Sequence, residues 1–268
     1  MKKVIILVVI MLVYFLYAGE EACAEGIAQA NEIKKSSKPL KVLMVGNSMT
    51  YSSSNSTIEN LRKLAQKAGR KIKVKRLTSS GEKLKNWINP KNRNGKKLYK
   101  EIKNNRWDYI IFQEYTDASI SKSFTKTSKK ISKYIKKHSP KTQIIFNCTW
   151  AYRKGKKIAG KYYSYNKMQK KMNKNYERAA KQTNADICWS GKAFQQYRKR
   201  KGKKKPLYRK DNNHASKYGW YLNACCLYST IFKSSPKECR YYGRIGKKTA
   251  KIFQNIAYSV ISLNDNKK

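Results

Sequence analysis

Apolar positions along the chain come in two rhythms. Short runs at 42–45, 110–112 and 144–146 are apolar without a break, as in strands covered on both faces. Between them, apolar residues recur every three or four positions, as in helices buried on one side. The first run predicts a strand over 40–45. Ile58, Leu61, Leu64, Ala65 and Ala68 then share one face of a helix over 57–68, which Gly69 ends. Alternation predicts a second strand over 72–77, and WDYIIFQ at 107–113 a third, fully buried one. TQIIFNC at 142–148 gives a fourth, and 185–189 a short fifth. Further helices are predicted over 94–104, with Leu98 and Ile102 inward, and over 121–136, 165–182, 216–232 and 246–263. Strands alternating with helices imply βαβ units. Right-handed crossovers put helices on both faces of a parallel sheet. The expected architecture is therefore α/β, a three-layer α/β/α sandwich on a parallel sheet of about five strands. In such sheets ligands collect at the carboxyl ends of the strands.

The N-terminus follows neither rhythm. Lys2 and Lys3 precede an apolar run of fifteen residues, Val4 to Ala18, and Ala22-Cys23-Ala24 places small residues where a signal peptidase reads them. The run is shorter than the about 20 residues of a spanning helix. The sequence thus predicts a signal peptide over 1–24, a flexible lead-in over 25–39 and one domain over 40–268. The mature protein is expected to be secreted or wall-associated and not transmembrane. Removing the leader takes two lysines and two glutamates, so the formal charge of +47 is unchanged. Basic runs at 71–76, 129–137, 153–157 and 198–205 spread that charge along the domain. Such a surface attracts polyanions. For an exported protein these are anionic cell-wall polymers and lipid head groups rather than nucleic acid, for which no fold signature is present.

Cysteine and histidine usage narrows the chemistry. Cys148, Cys188, Cys225, Cys226 and Cys239 remain after cleavage, with no CxxC pair, and the histidines are only His138 and His214. This predicts no metal site and no cofactor. The spacing dictates no disulfide. The predicted strand ends carry Gly46-Asn47-Ser48, Gln113-Glu114 and Cys148-Thr149-Trp150. Ser79-Ser80-Gly81 follows the second strand, and Asp211-Asn212-Asn213-His214 lies far downstream. A serine hydroxyl becomes nucleophilic when an imidazole takes its proton, and a carboxylate holds that imidazole in one tautomer. His138 sits in KKHSPK at a basic helix end, which leaves His214 as the base, with Asp211 three residues earlier. The oxyanion needs preorganised donors. Candidates are the N–H groups of Ser48 and Gly81 and the side-chain amide of Gln113.

These segments resemble a known family. VGNSMT, the SSG glycine, WDYIIFQE and DNNHASKYGWYLNACCLY are similar to the blocks of the SGNH hydrolases, the GDSL-like esterases. They are closest to a subgroup whose first block reads GNS and whose third reads LQE. The resemblance covers Val42 to Tyr228, and the DxxH block is its most specific part. It implies a flavodoxin-like fold, Ser48 as nucleophile, His214 as base and Asp211 as its orienting acid. Ser48, Gly81 and Gln113 would line the oxyanion hole. Gln113 stands where the family more often has an asparagine, and Asn47 where GDS has an aspartate. TWAY at 149–152 is similar to a substrate-side motif, which implicates Trp150 and Tyr152 with Arg153.

The resemblance implies a serine hydrolase cleaving short O-acyl or acetyl esters, on an acylated carbohydrate or another small ester. The acyl group, the alcohol and the choice between hydrolase and acetyltransferase stay open. The alternative is a polyanion-binding wall protein on the same scaffold without catalysis, consistent with twenty tyrosines and five tryptophans among the lysines. The intact set of five strand-end residues favours the enzyme.

Overall fold

A computed structural model describes residues 38–51, 56–202 and 205–265. The leader expected over 1–24 and the lead-in up to residue 37 lie outside the described residues. The compact unit runs from Pro39 onward.

Strand β1 (Leu40–Gly46) leads through α1 (Thr57–Lys67) to β2 (Ile72–Thr78). The short α2 (Leu84–Trp87) and α3 (Arg93–Asn104) precede β3 (Tyr109–Phe112). Then come α4 (Thr116–Ser119), α5 (Ser123–His138) and β4 (Gln143–Asn147). A small antiparallel hairpin, β5 (Lys156–Ile158) and β6 (Lys161–Tyr163), precedes the long α6 (Tyr165–Thr183). The chain ends with β7 (Asp186–Cys188), α7 (Ser190–Lys199), α8 (Lys217–Phe232), a 3-10 turn at Pro236–Cys239 and α9 (Lys247–Asp265). Every strand of the main sheet is parallel to its neighbours, in the order β2-β1-β3-β4-β7. Helices α1, α7, α8 and α9 pack together, and α5 packs with α3 and α6. The sheet lies between these two layers, which is the expected three-layer sandwich.

Unbroken apolar runs form the sheet centre because both faces are covered. Val42 to Val45 and Tyr109 to Phe112 are buried throughout. Each such side chain contributes about 1.5–3 kcal/mol by leaving water, so groups hung on the ends of β1 and β3 inherit a fixed frame. Helix α8 is buried from Gly219 to Phe232. It packs against α1 and α9, and a helix covered all round needs no polar stripe. The strand order reverses between β1 and β3, and such a switch point opens a crevice at the strands' carboxyl ends.

All five expected strands are present, each within two residues of its predicted ends. Helix α7 and the β5–β6 hairpin stand where no element was expected. All five cysteines of the domain are buried, and burial pushes the Cys148, Cys225 and Cys226 thiols up.

Candidate active site

Ser48 sits in the turn that follows β1. The Asn47 carbonyl accepts from Thr50 N–H at 2.9 Å and from Tyr51 N–H at 3.3 Å, which closes the turn around Ser48. The Asn47 side chain is buried and works in both directions. Its Oδ1 accepts from Met49 N–H at 3.0 Å, and its Nδ2 donates to the Glu82 carbonyl at 2.9 Å. An aspartate there would lack the Nδ2 donor, so Asn47 ties the Ser48 turn to the Ser79–Glu82 loop in a way the acid could not. Ser79 N–H also reaches the Gly46 carbonyl at 3.3 Å.

His214 comes from the loop that leads into α8. Arg209 N–H donates to the His214 carbonyl at 2.8 Å, Tyr208 bridges Ala215, and Ser216 N–H donates to Leu207 at 2.9 Å. The Ser216 hydroxyl then accepts from Tyr218 N–H as the cap of α8. The loop is therefore fixed at the end of the most buried helix. Within it, Asn212 adopts φ 59°, a left-handed conformation that asparagine tolerates. Asp211 Oδ1 accepts the N–H groups of Asn213 and His214, both at 2.9 Å. Asp211 Oδ2 meets His214 Nδ1 at 2.7 Å, and His214 Nε2 meets Ser48 Oγ at 2.9 Å. Burial alone would raise the Asp211 carboxyl. The Asn213 and His214 donors more than offset it and hold Asp211 below the usual carboxylate range. A carboxylate only accepts, so Nδ1 carries a proton, and in the neutral imidazole Nε2 presents its lone pair to the Ser48 hydroxyl.

Ser48 opens onto a cavity of about 320 Å³ lined also by Tyr51, Arg76, Thr78, Ser79 and Ser80. Gly81 follows at φ +67°, with open space where a Cβ would stand. Among the described residues, no acceptor takes the N–H of Ser48 or of Gly81.

Gln113 requires a correction. It is only 1 % exposed, and its amide does not face the Ser48 cavity. Oε1 accepts from Asn47 N–H and from the Thr50 hydroxyl, both at 3.0 Å, while Nε2 donates to the Glu114 carbonyl. The Asn47 N–H can only donate, which fixes the oxygen on that side and commits the nitrogen away from the site. Gly46 permits this approach: a Cβ there would lie 2.5 Å from the Thr50 hydroxyl and 2.6 Å from Gln113 Oε1. Gln113 is a brace beneath the serine turn, not an oxyanion donor.

The expected substrate residues are also placed differently. Trp150 is fully buried, stacked on Phe194 at 4.1 Å, and its indole N–H donates to the Asn213 carbonyl at 2.9 Å. Arg153 N–H donates to the Asn212 carbonyl at 2.8 Å, and the Tyr208 hydroxyl to Ala151 at 2.9 Å. The Tyr152 ring is mostly buried, and its hydroxyl accepts from Lys156, which pairs with Asp117 at 2.9 Å. Trp150, Tyr152 and Arg153 do not line the Ser48 cavity. The segment after β4 is a buttress under the histidine loop. His138 is exposed at the end of α5, with its ring on Tyr134.

Glu114 was not singled out from the sequence, although a carboxylate between FQ and an aromatic at a strand end is visible there. It is 3 % exposed, and Oε1 accepts from Leu84 N–H at 2.8 Å and Tyr115 N–H at 2.7 Å. Burial raises its pKa to about 7 against these donors and Lys83 and Lys85.

Solved structures with this architecture include a DUF4886 family protein from Bacteroides uniformis ATCC 8492. It is 21% identical, with TM-score 0.72 over 85% of this chain and 96% of that one. A protein from Slackia heliotrinireducens described as an SGNH hydrolase is 25% identical, with TM-score 0.59 over 72% of this chain and all of that one. An acetyl xylan esterase, AlAXEase, is 14% identical, with TM-score 0.55 over 72% of this chain and all of that one. The fold is that of the SGNH hydrolases. No curated protein matches the chain by sequence. Residues 88–260 match the family described as "Domain of unknown function (DUF4886)", and the chain belongs to that family.

Proposed function

We propose that this protein is an exported serine hydrolase that cleaves short O-acyl esters, with Ser48 as nucleophile, His214 as general base and Asp211 as its orienting acid. The observation that carries the reading is the unbroken relay from Asp211 Oδ2 to His214 Nδ1 at 2.7 Å and from His214 Nε2 to Ser48 Oγ at 2.9 Å. Ser48 Oγ attacks the acyl carbon as its proton passes to Nε2. The carbonyl oxygen becomes an oxyanion, for which the N–H groups of Ser48 and Gly81 are available donors. The tetrahedral intermediate collapses, the acyl C–O bond breaks, and the imidazolium gives its proton to the leaving alcohol. Water then attacks the acyl-enzyme by the same route, releasing the acid and free Ser48. An acylated carbohydrate fits the hydroxyl-bearing Thr78, Ser79 and Ser80 in the cavity beside Ser48 and the likeness of fold to an acetyl xylan esterase. The GNS block and the Gln113-Glu114 block support membership of the subgroup named above.

The charge of +47 favours a second role, retention on anionic wall polymer. That role alone, without catalysis, leaves the relay without purpose. Hydrolysis of p-nitrophenyl acetate by the purified chain, beside Ser48→Ala, tests the reading. Activity that depends on Ser48 supports it; equal rates for both proteins, or none for either, overturn it.

A further inference from the structure

We propose that the ester substrate carries an anionic group close to the scissile bond, and that Arg76, stacked on Tyr51, is the residue that reads it. The proposal rests on Ser48 as nucleophile and adds the substrate's charge.

Arg76 lies on β2, the edge strand, in register with Met44, two residues before Thr78, which pairs Gly46. Alternate residues of a strand share a face, so Arg76 stands behind Thr78 on the way to the serine turn. Its guanidinium carbon is 3.6 Å from the centre of the Tyr51 ring. A stacked guanidinium keeps its N–H edge free for an oxyanion and loses less rotamer freedom on using it than a lysine would. No carboxylate among the described residues pairs with Arg76.

Arg76 and Ser48 line one cavity. Tyr51 and Arg76 also line a neighbouring cavity of about 550 Å³, together with Arg62, Lys63 and Arg244. Glu59 is the one acid in its lining, and it faces Lys63 at 3.5 Å. Arg76 also lines a third cavity, of about 250 Å³, with Lys97. Arg76 is thus common to three cavities, one of which it shares with Ser48. Lysines elsewhere on the surface make the protein generally adhesive. Arg76 differs because it shares the nucleophile's cavity and has no carboxylate partner among the described residues. A neutral acyl sugar would leave that cation unused. An acylated unit bearing a phosphate or carboxylate would use it in every turnover.

The test compares two esters that differ only in a phosphate group, 1-acetylglycerol and 1-acetylglycerol 3-phosphate, at low salt. For the wild-type chain kcat/KM is expected to be roughly tenfold or more in favour of the phosphate-bearing ester, about one charge-assisted contact. Arg76→Gln should bring the two substrates to within about threefold, and Arg76→Lys should keep more of the preference than Gln does. The preference should shrink with salt, as exposed charges are screened over about 8–10 Å at physiological strength. Equal rates on both esters in the wild type, or an undiminished preference in Arg76→Gln, overturn the proposal while leaving the hydrolase reading intact. Hydrolysis of neither ester overturns the hydrolase reading and this proposal with it.

Discussion

Replacing Gln113 by alanine separates a brace from an oxyanion donor. The substitution removes the acceptor of Asn47 N–H and of the Thr50 hydroxyl, in residues that are 0% and 1% exposed. An orphaned buried donor costs about 1–3 kcal/mol, and the lost bond to the Glu114 carbonyl adds about 0.5–1.5 kcal/mol. The Thr50 hydroxyl can rotate toward another acceptor, so its share falls at the low end. The expected loss of stability is about 2–5 kcal/mol. Activity should fall too, because the turn carrying Ser48 loses its support. Equilibrium urea unfolding reads the first effect and ester hydrolysis the second. Gln113→Met, which keeps most of the volume, should lose nearly as much stability as alanine. An unfolding midpoint equal to wild type, with kcat down by about 10²–10³, is the signature of an oxyanion donor and would refute the brace.

Asp211→Asn keeps an oxygen for the Asn213 and His214 N–H groups but removes the charge from Nδ1; kcat should fall by about 10²–10⁴ with the fold intact, read by ester kinetics beside circular dichroism. Trp150→Phe retains the stack on Phe194 and deletes the donor to Asn213. It should cost about 1 kcal/mol and lower kcat more than it changes KM, whereas a substrate-contact role would appear mainly in KM. Glu114 holds its proton more tightly folded, at about 7, than at its ordinary value of 4.5. Its contribution to stability is therefore full below about 4.5 and is lost as pH rises through about 7. Across that window the unfolding free energy should shift in favour of Glu114→Gln relative to wild type by roughly 3 kcal/mol; parallel profiles would contradict the buried, raised carboxyl.

The fold was legible because the sheet is covered on both sides. Val42 to Val45 and Ile110 to Phe112 had to be unbroken runs, and their shortness and β-branched content mark them as strands. Helix α7 was hidden because only Ala193, Phe194 and Tyr197 mark its buried face before the chain enters a basic run. The β5–β6 hairpin, built from KKI and KYY, carries its register in backbone bonds rather than in an apolar alternation. That Ser48, Asp211 and His214 would lie together could be read from sequence, because a serine relay calls for those residue types and only two histidines exist. Gln113 and Trp150 were misassigned for a common reason. Each is a polar or aromatic side chain at a strand end, and sequence does not say which way its amide or indole N–H points. In both cases the donor is spent on a backbone carbonyl, Glu114 for one and Asn213 for the other. Asn47 shows the converse, a neighbour of Ser48 whose two side-chain hydrogen bonds only the folded loops reveal.

In the proposed reaction Ser48 becomes covalently acylated. Incubating the wild-type chain with a small fluorophosphonate and mapping the adduct by peptide mass spectrometry reads this out at the residue itself. One phosphonyl group should appear on Ser48, at a rate that collapses in His214→Ala and with no adduct in Ser48→Ala. Labelling of another residue at the wild-type rate in Ser48→Ala, or no labelling of the folded wild-type chain, would contradict it.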